Sequence, residues 1–446
     1  MCDTSQWLFR RMECPECKSP IDSTALRRND RQRVEYGLLD CACATYPVVA
    51  GVAVLRTDAL TQTAAEHVAS REFETARSVL LNLPGRVPGR SACGTVLSRL
   101  GSAGHPAVRA LAAYHRASGR SDEEVGAWRT FEDAATALVG SDDPGFYFDE
   151  YLTFRPLEQS FWNLHALLPL FHDAPGPLLD FAGGAGHASD LVARTTGTRT
   201  CTVDVNFRTL FLYTRFVNRQ QPAVVIGEGA DLPFFDDAFG TTLNVDGLHF
   251  VPNRFAMSGE LERVTAADGL VALLHQHTDD QARISGTALP TAEQTRGFDR
   301  EAVVVPERDV VEPFVRAVDE GGGSIELHDR RDGADGGDVN VLFGADVDDD
   351  TVDIPVERRV HPLLDWAGPV TVNHAYEVTT DGGSLHLERR PLSPVFREEF
   401  DRTMAHTDEA YVVSLDDVDA RRSLLARGVL TVLPERYVGR PVVGDG

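Results

Sequence analysis

The sequence predicts an α/β chain built on a mostly parallel sheet, and three observations carry that prediction. From about residue 157 to 346, strand-like and helix-like segments alternate, the pattern of parallel strands joined by crossovers. At 178–189, LLDFAGGAGHAS, an apolar run ends in an acid and a glycine-rich turn opens a helical stretch, so that backbone can approach a nucleotide closely. A second strand-like run, TRTCTVDVN, ends in Asp204, the place where an acid can accept ribose hydroxyls.

The elements before and after this centre divide the chain into 1–58, 59–150, 151–346 and 347–446. The first segment is a small β module with two close cysteine pairs, Cys14 and Cys17 in ECPECKSP and Cys41 and Cys43 in LLDCACATYPVVAGVAVL. Paired thiolates at this spacing form tetrahedral zinc sites, and four protein ligands leave no open position, so the expected role is structural. A module this small does not hold itself together by burial alone. Its basic stretch RRNDRQR (27–33) reads as a solvated hairpin tip. The second segment is helical by the apolar spacing of AAEHVASREFETARSVLLNL and DEEVGAWRTFEDAATALV, with LPGRVPGRSACG as the loop between them. In the last segment GADVDDDTVD (344–353) reads as an acidic linker, AYEVTTDGGSLHLERR as strands and DVDARRSLLARG as a helix, a small α+β extension.

Charge narrows the partners. The net charge is −25, and Lys18 is the only lysine among 43 basic residues, a salt-adapted composition. Such a surface repels polyanions, so a nucleic-acid substrate is not expected. The N-terminus has no apolar signal core and no stretch approaches the 18 apolar residues of a membrane span, so the expected location is cytoplasmic.

Taken in order, the central motifs resemble class I S-adenosylmethionine-dependent methyltransferases, in the branch of ubiquinone and menaquinone C-methyltransferases. The match runs from DFAGGAG through Asp204 to AVVIGEGADLPFFDDAFG with its Leu232-Pro233-Phe234, then TTLNVDGLHFVPN and ELERVTAADGLVALL. The resemblance implies a Rossmann-like domain of seven strands, with GSIELHDRR (323–331) as the sixth strand and VNVLFGA as the seventh, a hairpin around DGADGG. It implies S-adenosylmethionine as cofactor, held by Asp180, Ala182, Gly184, Gly186, Asp204, Asn206, Glu228, Gly229 and Asn244. Ala182, Glu228 and Gly240 depart from the family pattern. The first segment resembles the zinc-ribbon of the small activator subunit of tRNA and translation-factor methyltransferases, except that Cys41 and Cys43 are one residue apart where the family has two. Aromatic-rich GFYFDEYLTFRPLEQSFWNLH (145–165) offers Tyr147, Tyr151 and Arg155 as a lid, or packs as an aromatic helix on the sheet.

Methyl transfer from a sulfonium needs a base only for a hydroxyl or weakly acidic carbon acceptor. His249, after the fourth strand, is the candidate base by position, followed by His275 and His277 in LLHQHTD; each also reads as a histidine satisfied by backbone at a strand exit. Three functions remain open on the sequence. The first is a small-molecule methyltransferase acting on a quinone, sugar or lipid precursor. The second is an RNA or protein methyltransferase with a fused activator, against which NVDGL stands where an Asn/Asp-Pro-Pro-aromatic motif belongs. The third is a cofactor-binding protein without catalysis.

Overall fold

The structure is a computed structural model of the full chain. It describes residues 5–82, 128–139, 151–152, 155–172, 174–227, 231–278, 288–330, 337–344, 347, 351–354, 370–373, 375–390, 406–414, 416–432 and 437. Tyr147, Cys93, Glu228, Gly229 and residues 332–336 of the DGADGG turn lie outside the described residues.

The α/β prediction holds. The N-terminal module is an antiparallel meander of β1 (Asp22–Arg28), β2 (Val34–Asp40), β3 (Thr45–Val49) and β4 (Val52–Val54). In the centre stand β5 (Leu178–Phe181), β6 (Thr200–Asp204), β7 (Ala223–Val225), β8 (Phe239–Val245) and β9 (Thr265–Gln276), parallel to one another in the order β7-β6-β5-β8-β9. β5 and β8 are buried along their whole length, as strands covered on both faces must be. Beyond them lie β10 (Val303–Pro306), β11 (Gly323–Glu326), β12 (Val339–Phe343) and β13 (Thr351–Ile354).

These strands do not form two separate sheets. One sheet of eleven strands runs in the order β1-β2-β3-β4-β7-β6-β5-β8-β9-β12-β10, and β4 joins β7 in parallel register, Ala53 opposite Val224. The cysteine-bearing module is thus a continuation of the central sheet. Helices cover the faces: 187–196 follows the glycine turn, and Glu307–Glu320 buries Val310, Val311, Phe314, Val315 and Val318 along one stripe.

Three expectations are corrected. The sixth strand is β10, not 323–331; its residues Val304 and Val305 are buried, whereas Gly323–Glu326 buries Ile325 alone and pairs with β13 outside the main sheet. β12 therefore pairs with β10 and β9 rather than with a 323–331 hairpin arm. The acidic run 344–353 contributes Thr351–Asp353 to β13, because Val352 and Ile354 face a core that compensates for the charged neighbours. The solvated reading of the basic hairpin tip is corrected in part: Arg28, Asp30 and Arg31 are exposed, but Arg33 is not. Arg33 is 3% exposed and donates to the carbonyls of Thr214, Asn218 and Gln221 at 3.0–3.2 Å, while Asn29 donates to the Arg219 carbonyl.

The C-terminal strands β14 (Val370–Val372), β15 (Tyr376–Asp381), β16 (Ser384–Arg389), β17 (Ala410–Ser414) and β18 (Leu430–Val432), with helix Val418–Ala426, share one buried cluster with Trp162, Phe171 and Phe314. Among the described residues, no helix is long and apolar enough to cross a membrane.

Candidate functional site

The carboxyl ends of β5, β6 and β8 meet where strand order reverses, between β5 with β6 on one side and β8 on the other, which is where ligands bind in open α/β sheets. A cavity of about 450 Å³ lies there. Ala182, Gly184, Asp204, Gly227, Asp246 and Met257 line it, with Tyr151 and Arg155 from the segment before the domain.

The turn that forms one wall depends on unusual backbone. Ala182, Gly184 and Gly186 have φ of +53°, +54° and +67°. That conformation favours glycine, so the alanine in the first glycine slot is held in a strained but attainable left-handed state. A Cβ on Gly186 would stand 2.3 Å from the Tyr213 ring, which fixes that position as glycine for packing rather than for ligand contact.

The predicted site residues separate into two groups. Ala182, Gly184 and Asp204 line the cavity; Asp180, Gly186, Asn206 and Asn244 lie behind it. Asp180 is fully buried beneath the turn, where one carboxylate oxygen accepts from the Ser189 N–H and the other has no partner. Burial pushes its carboxyl up to about 7. Asn244 is a clasp: it donates to the Phe181 carbonyl at 2.7 Å and accepts from the Leu248 N–H at 3.0 Å, binding the exit of β8 to that of β5. Asn206 caps helix Phe207–Leu212. Asp204 is not the unpartnered acid that its strand alone suggests. Its two oxygens accept the N–H groups of Gly184 at 3.0 Å and Asn206 at 2.8 Å, and burial holds its carboxyl above the usual range.

Opposite the glycine turn, Asp246 faces the cavity from the end of β8, with φ of +58°. The Tyr151 hydroxyl donates to its Oδ2 at 3.0 Å, and Arg155 stands 3.3 Å from the same oxygen while covering the Tyr151 ring at 5.1 Å. Asp246 is half-buried, and Arg155 and two histidines hold its carboxyl well below the usual range against the desolvation that would raise it.

His249 is corrected. It does not stand at the mouth: the 3-10 turn Leu248–Phe250 turns Phe250 outward, 62% exposed, and folds His249 inward to 0%. Burial lowers its pKa to about 3, and among the described residues neither ring nitrogen has a hydrogen-bond partner. His275 and His277 join a buried network instead. His275 Nδ1 is 2.7 Å from Glu307 and His277 Nδ1 is 2.8 Å from Asp338. Nearby carboxylates outweigh burial and raise both histidines, His277 to about 9. Asp246, Glu307 and Asp338 come from strand ends with no local signal, and only the fold gathers them.

His187, the first residue after the turn, also lines the cavity. Burial lowers it to about 3, and it is hydrogen-bonded to the Tyr437 hydroxyl, which donates to the Leu152 carbonyl. Tyr437 stacks on Phe131 at 4.3 Å. Residues far apart in the chain, 131 and 437, thus pack together behind His187.

The four cysteines of the N-terminal module converge. Cys14–Cys43, Cys41–Cys43 and Cys17–Cys41 sulfur distances are 3.6, 3.7 and 4.0 Å, and all four sulfurs lie within 4.8 Å of one another. Tetrahedral zinc with 2.3 Å bonds sets sulfurs about 3.8 Å apart, so the set is compatible with zinc. The single residue between Cys41 and Cys43 suffices because the Ala44 N–H turns back onto Cys41 Sγ at 3.3 Å. The Ser19 hydroxyl and backbone lower Cys17 to about 6, whereas neighbouring sulfurs push Cys43 up; a cation would be needed to ionise all four.

A sheet of this order with a glycine-turn cavity at its switch point is a Rossmann-like arrangement. Residues 179–273 match the family described as "Methyltransferase domain", and the chain carries the domain of an S-adenosylmethionine-dependent methyltransferase. No curated protein sequence matches the chain. Among solved structures, a complex between the Haloferax volcanii Trm112 methyltransferase activator and a methyltransferase is 15% identical, covering 45% of this chain and 97% of that one at a TM-score of 0.33. A Thermotoga maritima S-adenosylmethionine-dependent methyltransferase is 15% identical over 44% of this chain and 92% of its own, at 0.29. The Haemonchus contortus phosphoethanolamine N-methyltransferase 2, in complex with phosphomonomethylethanolamine and S-adenosylhomocysteine, is 12% identical over 43% of this chain and 50% of its own, at 0.31. Likenesses of this size leave the acceptor to the site itself.

Proposed function

We propose that the chain transfers the methyl group of S-adenosylmethionine to a small molecule bound in the cavity between the glycine turn and Tyr151, Arg155 and Asp246. The observation that carries this reading is that cavity, covered by residues that precede the domain. The turn at 182–184 and Asp204 are the groups for the nucleoside and amino-acid parts of the cofactor. Glu228 and Gly229, outside the described residues, stay assigned to the cofactor by the resemblance alone. The sulfonium supplies an activated methyl, so this chain's part is chiefly to position, and orientation can supply about 7–11 kcal/mol of barrier lowering. Tyr151 and Arg155 exclude water and orient the acceptor beside Asp246. The cysteine set would hold zinc in a structural role through Cys14, Cys17, Cys41 and Cys43, stiffening the module where β4 extends the sheet.

A small acceptor is supported by the net charge of −25 and by the sequence Asn244-Val245-Asp246-Gly247 at the exit of β8. The second reading, an RNA or protein acceptor with a fused activator, is favoured by one observation: the cysteine module continues the catalytic sheet through β4 and β7. Incubation with methyl-labelled S-adenosylmethionine and fractionated extract in high salt tests both. Label in the low-molecular-mass fraction supports the first reading, and label confined to RNA or protein replaces it.

A further inference from the structure

We propose that Asp246, His275 and His277 bind a divalent transition-metal ion beside the cavity, with Asp338 and Glu307 orienting the two imidazoles. The three residues each present a donor atom within 4.8 Å of the others, at the carboxyl ends of β8 and β9. Histidines that ligate a metal almost always give their other ring N–H to a carboxylate. Both do so here through Nδ1, to Glu307 at 2.7 Å and to Asp338 at 2.8 Å, which leaves Nε2 as the donor on each ring.

Those Nε2 atoms are not well used otherwise. His275 Nε2 stands 3.7 Å from Asp338, and His277 Nε2 stands 3.3 Å from Asp246 Oδ1, an oxygen without a hydrogen bond among the described residues. Charge-assisted hydrogen bonds close to about 2.7–2.9 Å. Donors about 2.1 Å from a shared metal stand about 3.0–3.4 Å apart, which is the observed Asp246–His277 separation. A further buried imidazole faces the same oxygen: His249, with both nitrogens unpartnered, holds Nε2 3.6 Å from Asp246 Oδ1. Two imidazoles and one carboxylate select manganese, iron, cobalt or zinc over calcium or magnesium.

Asp246 lines the cavity while its Oδ1 is buried, so the ion stands directly behind the carboxylate that an acceptor bound there meets. Resting on the methyltransferase reading, this assigns a hydroxyl-bearing acceptor. The hydroxyl gives its proton to water, its oxygen forms the new O–C bond, and the methyl's C–S bond breaks to leave a neutral thioether.

The test uses the full chain in high salt with its cysteine site zinc-loaded, titrated with Mn²⁺ and followed by loss of the free-ion paramagnetic resonance signal. One Mn²⁺ per chain is expected, weakened at least tenfold in His277→Ala and about ten- to a hundredfold in Asp338→Asn. Should His277→Ala fail to fold, Asp338→Asn decides. No binding up to about 1 mM, or unchanged affinity in the folded variants, which marks adventitious surface binding, overturns the site. Calorimetric binding of S-adenosylmethionine to the same samples separates the two readings: cofactor binding without Mn²⁺ binding sinks the metal alone.

Discussion

Replacing Asp180 by asparagine should abolish a pH dependence of stability that originates under the glycine turn. Asp180 is fully buried, with one oxygen on the Ser189 N–H and the other unpartnered, and burial moves its carboxyl from 3.8 to about 7. The unfolded chain therefore loses this proton near pH 4 while the folded chain keeps it to about 7. Between those values the folded state binds more protons, so stability falls as pH rises through the window. At 1.36 kcal/mol per pH unit, a displacement of this size corresponds to about 4 kcal/mol in full, of which about 2–3 kcal/mol falls between pH 5 and 8. Asparagine keeps the shape and cannot ionise. Chemical denaturation of parent and Asp180→Asn across that range, in high salt, should show the variant gaining about 2–3 kcal/mol on the parent from pH 5 to 8. Parallel curves would mean that Asp180 is ionised and solvated in the folded protein, and the account of the turn would fall.

Asp204→Ala should weaken S-adenosylmethionine binding by about 1.5–3 kcal/mol, roughly ten- to a hundredfold, because it removes a charged acceptor and frees the Gly184 N–H that shapes the turn; titration calorimetry reads it, and equal affinity refutes it. Arg33→Met should destabilise the chain by about 3 kcal/mol, since it strands the carbonyls of Thr214, Asn218 and Gln221, and denaturant midpoints measure it. Elemental analysis should find zinc in the purified parent and a stoichiometric loss in Cys41→Ser; equal zinc in both would show that these sulfurs are not the ligands. Gly240→Asp, which restores the residue that the family pattern has there, should prevent folding or cost several kcal/mol, because a Cβ would stand 1.4 Å from the Pro175 carbonyl oxygen; native-like circular dichroism at parental stability would refute this.

That last contact shows what sequence reading misses. Gly240 reads as a departure from a motif, while in the fold it is where the β8 backbone passes against Pro175. The same holds for Asn244 and Asp180, which the family resemblance assigns to the cofactor but whose side chains brace the turn from behind. His249 reads as the base by its position after a strand, and a three-residue turn folds it inside.

Local pattern alone determined the alternation of strands and helices, the glycine turn, the acid ending β6 and the paired cysteines. Each of these is written in residues close together in the chain, where period, turn chemistry and spacing act directly. Tertiary structure decided the rest. The choice of β10 over 323–331 for the sheet edge, the docking of Arg33 and the joining of β4 to β7 depend on which surfaces meet. So does the gathering of Asp246, His275, His277, Glu307 and Asp338 at one end of the sheet. Burial gives these charged residues their altered chemistry, and burial is a property of the assembled core, not of any segment.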